Sequence, residues 1–440
     1  MVNSYDPANS KPQSASIESL LRRRTKVLGP AYRLFYENPV HVVRAEGVHL
    51  YDESGTAFLD VYNNVPVVGH CHPQVVEAQA RQAAVLNTHT RYLYDMVLTY
   101  AEKLIGTFPA PLANVMFTCT GSESSDLALR IARSCTQGTG IVVTANAYHG
   151  LTAAVAEASP SLGDGVPLGA HVRVVPAPDS YRIGAANVAG RFSADVQAAI
   201  ADMWRHGIKP AALVFDTIFS SDGILSHPPG FIEGAVAAMR AAGGIYIADE
   251  VQPGFGRTGD GMWGFSRHWV IPDLVVLGKP MGNGLPIGGV VARPELLEEF
   301  AGSARYFNTF GGNPVCCAAG LAVLQVLENE HLIDNARNVG AYIQDGLASL
   351  QKEYPVIGDV RGAGLFIGVD LVSDAKTRTP DPAAGLSLVN RLRDKNVLIS
   401  ASGPLGHVLK IRPPLPFSRA NAEEFMGKLE EALHELSQET

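Results

Sequence analysis

Two short apolar runs in this chain stop abruptly on charge, and that pattern constrains the fold more than any other feature. One is Gly244-Ile245-Tyr246-Ile247-Ala248, followed by Asp249-Glu250; the other is Leu274-Val275-Val276-Leu277, followed by Gly278-Lys279-Pro280. A continuous apolar run of strand length suits a strand covered on both faces, as in a parallel sheet sandwiched by helices. Functional groups collect at the carboxyl ends of such strands. If both runs lie in one parallel sheet, Asp249 and Lys279 share a rim. A carboxylate and an amine on one rim suit pyridoxal phosphate. The amine condenses with the cofactor's aldehyde, and the acid keeps its pyridine nitrogen protonated.

Further apolar runs extend the pattern. Strands are expected at 115–119, 141–144, 172–175, 212–215, 244–248, 274–277 and 289–292, with helices between several of them, as at 195–206 and 229–242. This alternation predicts an α/β fold whose large layer holds a mostly parallel seven-stranded sheet. Alternating residues between 40 and 60 predict two strands, with Glu53-Ser54-Gly55 as the turn after the second. Beyond the turn-rich Thr309-Phe310-Gly311-Gly312-Asn313-Pro314 come one long helical region (317–351), a strand-rich block (359–372, 397–400, 408–411) and an amphipathic helix (420–436). These read as a smaller α+β domain. The expected division is 1–62 as an N-terminal segment contributing to the small domain, 63–316 as the large cofactor-binding domain and 317–440 as the small domain. Residues up to about Ser16 are polar and expected to be mobile.

A chain of 440 residues is too long for one simple core, and 46% hydrophobic with 18% charged residues is ordinary globular composition. The net charge of −8 offers no electrostatic reason to bind nucleic acid or an anionic membrane. No apolar run reaches membrane-spanning length, and the polar start lacks the apolar core of a secretory signal. The five cysteines include no CxxC pair, and Cys316 and Cys317 are adjacent, so a reducing cytoplasm is the expected compartment.

Each chemical motif has a plainer alternative. A strand ending in Asp-Glu is also the acid pair of an ATPase, but the chain has no GxxxxGK[ST] loop and Lys279 precedes Pro280, which argues against that reading. A lysine after a strand is usually solvated. Here Gly278, Pro280, Gly282, Gly284, Pro286 and Gly288 crowd it, so backbone can pass close to a ligand, and burial would make the amine a nucleophile. The stretch Phe117-Thr118-Cys119-Thr120-Gly121-Ser122 feeds a helix, whose free N–H groups make a phosphate seat at Gly121 and Ser122. The plainer reading is Ser122 as an N-cap. Tyr148, in Ala147-Tyr148-His149-Gly150, either stacks on the pyridine ring or is a packed aromatic. His70-Cys71-His72 lacks the partner spacing of a zinc site, so it reads as structural and no metal is expected.

Together these residues resemble the class III (ω-type) aminotransferase family of fold-type I pyridoxal-phosphate enzymes, over almost the whole chain. The most specific match is Asp249-Glu250-Val251-Gln252-Pro253-Gly254-Phe255-Gly256-Arg257-Thr258-Gly259 with Trp263, Pro272-Asp273 and Lys279-Pro280-Met281-Gly282-Asn283-Gly284; Gly69-His70-Cys71-His72-Pro73 and Asn308–Pro314 agree too. The resemblance implies that Lys279 carries the cofactor, Asp249 pairs with the pyridinium, Gln252 contacts the ring hydroxyl, and Tyr148 and Val251 enclose the ring. Gly121 and Ser122 hold the phosphate, and Thr309 reaches it from the neighbouring subunit, which implies a homodimer with sites at its interface.

Within the family, Asn87–Asp95, Gly278–Gly284, Asn63-Asn64 and the segments 397–404 and 408–414 resemble the phospho-lyase branch, whose members expel phosphate from a phosphorylated amine. Arg412, Arg91 and Asn64 are then the candidate substrate residues. Asp216 and Ser124-Ser125 depart from the usual family residues. Arg412 matches an arginine that binds a carboxylate in aminotransferases, which keeps an aminotransferase as the alternative. A non-catalytic protein on this fold is a third reading, opposed by the Asp249–Lys279 pair.

Overall fold

A computed structural model describes residues 4–7 and 14–439. Seven strands form the central sheet: β1 (Asn114–Thr118), β2 (Gly140–Thr144), β3 (Val172–Val175), β4 (Pro210–Asp216), β5 (Ile245–Asp249), β6 (Leu274–Leu277) and β7 (Gly288–Ala292). Their order is β1-β7-β6-β5-β4-β2-β3. Strands β3, β2, β4, β5 and β6 pair in parallel, and β7 runs antiparallel to both β1 and β6. All seven expected strands are present, in a mostly parallel sheet. All four residues of β6 and the first six of β4 are buried, as strands covered on both faces require. The antiparallel turn from β6 into β7 needs no helical crossover, so the connection carrying Lys279 stays short.

Register fixes the rim. Asp216 at the end of β4 lies beside Asp249 at the end of β5, and Asp249 lies beside Val276 in β6, so Lys279 emerges just beyond its level.

Two further sheets complete the fold. One has the order Val42–Glu46, His49–Asp52, Ala57–Asp60, Val397–Leu398; its last strand joins in parallel, pairing Val397 with Leu59. The other runs Ile357–Ala363, Phe366–Asp374, Val408–Ile411, Ser400–Ser402, with Thr379–Pro380 beside Phe366–Asp374.

Several expected boundaries differ. Residues 42–60 form three strands rather than two, because the turn after Asp52 returns the chain into Ala57–Asp60. The single helical region at 317–351 is two helices, Pro314–Asn329 and Leu332–Glu353. His331 between them takes a left-handed backbone (φ 52°), which an α-helix cannot continue through. The 359–372 block is a hairpin turning at Gly364 (φ 52°), where a Cβ would lie 2.5 Å from the carbonyl carbon of Thr258. The expected mobile start is tied down where it is described: Ser4 bridges to Phe35, and the Tyr5 N–H donates to the Leu34 carbonyl at 2.8 Å. Ser14 caps the helix Ala15–Leu28. The rest of that segment, 1–3 and 8–13, lies outside the described residues. Among the described residues no helix is long and apolar enough to cross a membrane.

Candidate active site

Lys279, Asp249, Asp216, Tyr148, Val251, Gln252, Gly121 and Ser122 line one cleft at the carboxyl edge of the sheet. The sequence signals from five separated segments therefore converge.

Asp249 is buried, and each of its carboxylate oxygens has one partner. One oxygen meets His149 Nδ1 at 2.7 Å, and the other accepts the Val251 N–H at 3.0 Å. Sequence reading missed His149; its signal was only adjacency to Tyr148. Burial raises the Asp216 carboxyl above the ordinary range, with Asp249 adding repulsion, against N–H donors from Ser220 and Ile218. Burial lowers the Lys279 amine below the ordinary lysine range, helped by the positive charge of Arg412 and opposed by Asp249 and Asp216. Among the described residues no hydrogen bond or ion pair engages that amine. A desolvated, uncommitted amine is a nucleophile and a proton carrier.

The expected phosphate seat, Gly121 and Ser122, opens the helix Gly121–Thr136. Thr120, not Ser122, is the N-cap: its hydroxyl accepts from the Glu123 N–H at 3.1 Å. Ser122 is therefore released from capping, and its oxygen accepts the Leu151 N–H at 3.2 Å. Ser124 and Ser125, the two departures from the family pattern, brace this helix. Ser124 donates to the Leu277 carbonyl at 3.0 Å, just before the lysine loop, and Ser125 donates to the His149 carbonyl at 2.8 Å. The seat needs glycine: a Cβ on Gly150 would lie 2.6 Å from Ser122 Oγ, and one on Gly278 would lie 3.0 Å from Gly121 Cα. A glycine-lined helix N-terminus, a deprotonatable lysine and a buried acid are the donor set that pyridoxal phosphate requires.

Tyr148 lines this cleft, and burial beside Asp249 raises its phenol pKa. Gln252 extends from the cleft to Arg412, whose guanidinium donates to its side-chain oxygen and, at 3.1 Å, to the Tyr62 carbonyl. The Arg412 N–H also bonds the Val61 carbonyl at 2.7 Å, tying this arginine to the loop that carries Asn64. Asn64 is buried, and its Nδ2 has no hydrogen-bond partner. Asp60 holds the loop by accepting the N–H groups of Tyr62 and Asn63 and pairing with His70 at 2.7 Å. His72 instead meets Glu330, so the two histidines of His70-Cys71-His72 serve separate carboxylates.

Two candidates stand apart. Arg91 is exposed and stacks its guanidinium 3.7 Å from the Phe307 ring centroid, and Thr309 is exposed on the nearby turn. Neither lines the cleft of its own chain. Glu250, the second half of the acid pair, faces away from cofactor chemistry. It accepts the N–H groups of Gly264 (2.7 Å) and Phe265 (2.8 Å) and the Thr217 hydroxyl (3.0 Å), and burial pushes its carboxyl up to about 8.

This fold and this rim define a fold-type I pyridoxal-phosphate enzyme. The family model for class-III aminotransferases matches residues 34–433, and the chain belongs to that family. Among curated relatives it is 41% identical to an alanine–glyoxylate aminotransferase 2-like protein of Drosophila melanogaster, over 95% of this chain and 87% of that one. It is 37% identical to ethanolamine-phosphate phospho-lyase homolog 1 of Caenorhabditis elegans, over 95% and 94%. Among solved structures, a phospholyase from Arthrobacter in complex with phosphoethanolamine superposes with a TM-score of 0.92 at 46% identity, covering 94% of this chain and 99% of that one. An amine transaminase from an uncultivated Pseudomonas species, in its PLP-bound form, superposes with a TM-score of 0.83 at 28% identity, covering 91% and 95%. Pyridoxal phosphate is the cofactor of this protein.

Proposed function

We propose that the protein is a phospho-lyase that eliminates phosphate from O-phosphoethanolamine, or a related phosphorylated amine, giving acetaldehyde, ammonia and inorganic phosphate. The observation that carries this reading is the 46% identity to a phospholyase bound to phosphoethanolamine, with an arginine buried next to the cofactor cleft in this chain. When bound, pyridoxal phosphate supplies an electron sink for the carbon next to the substrate nitrogen.

In this reading Lys279 would hold the cofactor and, once the substrate is bound, its amine would take the proton from that carbon. Its lowered basicity suits a base working near neutrality. Asp249, oriented by His149, keeps a proton on the ring nitrogen. Gln252 would face the ring hydroxyl, Tyr148 and Val251 would enclose the ring, and Gly121 and Ser122 would hold the cofactor phosphate. The carbon–oxygen bond on the adjacent carbon breaks, the electron pair leaves with phosphate, and water converts the unsaturated amine to acetaldehyde and ammonia. Arg412, Asn64 and Arg91 bind the departing phosphate as cationic or N–H donors.

Thr309 and Arg91 fit this scheme across a homodimer. They share an outer surface with Leu93 (100% exposed), Tyr92 (65%) and Phe310 (69%), apolar groups that a partner subunit would cover. The N-terminal segment 1–62 and the segment 317–440 then form the small domain around a large domain of 63–316, and a cytoplasmic setting fits the unpaired cysteines.

Incubation with phosphoethanolamine and no keto acid tests the reading. Phosphate and acetaldehyde should appear in equal amounts; if neither appears, the lyase reading is lost. The relative named as an aminotransferase supports the second reading, in which Arg412 binds the carboxylate of a keto acid. Turnover that requires pyruvate or glyoxylate would establish it.

A further inference from the structure

Lys410 was not among the residues that the sequence singled out, yet it is the least compensated charge among the described residues near the cleft. It lies on the strand Val408–Ile411, opposite Gly368 and Ser400, in an otherwise apolar run. It is 8% exposed, and Arg412 two residues on is 4% exposed. Alternation along a strand puts residues two apart on one face. The structure agrees: Lys410 Nζ lies 5.6 Å and Arg412 Cζ 5.5 Å from the centroid of the same Phe366 ring.

Two cations therefore sit together in the interior, and their hydrogen bonding differs. Arg412 spends donors on Tyr62 and Gln252, neither of which carries a charge. Lys410 has no hydrogen-bond or ion-pair partner among the described residues. Burial and the charges of Arg412 and Lys279 push its amine below the ordinary lysine range. The opposing charge is Asp216, whose oxygens already accept the N–H groups of Ile218 and Ser220. Buried like charges without a counter-ion are costly, and a bound anion removes that cost. The orphaned Nδ2 of buried Asn64, on the loop fastened to Arg412, adds a donor in need of an acceptor.

We propose that Lys410 and Arg412 together form a two-cation seat for the dianionic end of the substrate, selecting a phosphate monoester over a monoanionic carboxylate. The inference rests on the phospho-lyase reading for the name of the substrate, but the seat is defined by charge alone. One cation neutralises a carboxylate; a second is matched only by a dianion. Lys410 thereby becomes the specificity-determining residue, and Arg412 serves either ligand class. In the reaction the same pair holds the phosphate that leaves with the bonding electrons.

Calorimetric titration of the cofactor-loaded enzyme at pH 8 with inorganic phosphate, and separately with acetate, tests the seat without turnover. The wild-type protein should bind phosphate at least about tenfold more tightly than acetate. Lys410→Met should weaken phosphate by about a hundredfold, the loss that follows removal of one partner from a buried charge pair. It should leave acetate within about threefold and keep the visible absorbance of the lysine-bound cofactor, and Lys410→Arg should recover most of the phosphate affinity. Equal affinity of the wild-type protein for the two anions overturns the proposal whether or not any variant folds. Unchanged phosphate binding in Lys410→Met, or an equal loss for acetate, also overturns it. Failure of phosphoethanolamine turnover alone, with the phosphate preference intact, removes the lyase reading and leaves the seat.

Discussion

The rim of the seven-stranded sheet and the strand Val408–Ile411 of the five-stranded sheet meet at Gln252, and they treat charge in opposite ways. On the rim, acids have assigned partners. Asp249 is divided between His149 and the Val251 N–H, and Asp216 accepts the Ile218 and Ser220 N–H groups. On that strand and just past its end, Lys410 and Arg412 are both buried, with no carboxylate bonded to either. A rim whose acids are already partnered suits one fixed cofactor, with the Lys279 amine left free to meet it. A wall with unspent positive charge awaits a ligand that arrives and leaves. In the proposed function, cofactor chemistry belongs to the rim and substrate choice to this wall, so the two should fail separately.

The largest effect expected is on the rim. Lys279→Ala should remove the visible absorbance of the lysine-bound cofactor and lower turnover by more than about 10⁴-fold, since it deletes both the anchor and the base. Retained absorbance in that variant would break the assignment of the rim to the cofactor. Asp249→Asn should follow, with turnover down about 10²–10³-fold, the cost of losing one preorganised electrostatic group, and with cofactor bound more weakly by equilibrium dialysis.

Arg412→Ala should behave differently, losing about a hundredfold in kcat/KM while the absorbance stays within the wild-type range. Loss of the absorbance in this variant would mean that the two regions are not separable.

The smallest effect concerns stability. Glu250 has a folded pKa raised from 4.5 to about 8. A raised acid contributes fully below its unfolded value, and that contribution is lost as pH rises through the folded value, so it should decline between pH 5 and pH 8 by at most a few kcal/mol. In Glu250→Gln this slope should flatten, as read from thermal melts across that window, with the rim chemistry unchanged. A slope that persists undiminished would place its origin in another group.

Much of the rim was legible because its signals are local. An apolar run that ends on a charge announces both the strand and the group it displays, and this held for Asp249 and Lys279 alike. The cap was less legible. Thr120 and Ser122 are both acceptable N-caps, and only the backbone of Thr120, extended at φ −146°, decides between them. His331 and Gly364 hid their turns inside runs that favour a helix and a strand, since a left-handed residue leaves no periodic trace.

Lys410 had a signal, a cation inside an apolar strand. One charge in such a run reads equally well as a solvated strand face. Burial against Phe366 and the nearness of Asp216 give it meaning, and those neighbours are remote in sequence.

The sequence by itself determined the alternating α/β layer, the strand ends that carry Asp249 and Lys279, and the family, because these follow from short-range periodicity and contiguous motifs. Tertiary structure alone decided that His149 meets Asp249, that Glu250 belongs to a structural turn, and that the loop carrying Asn64 is fastened to Arg412. Burial and electrostatic coupling depend on which segments meet in space, and no local pattern along the chain encodes that meeting.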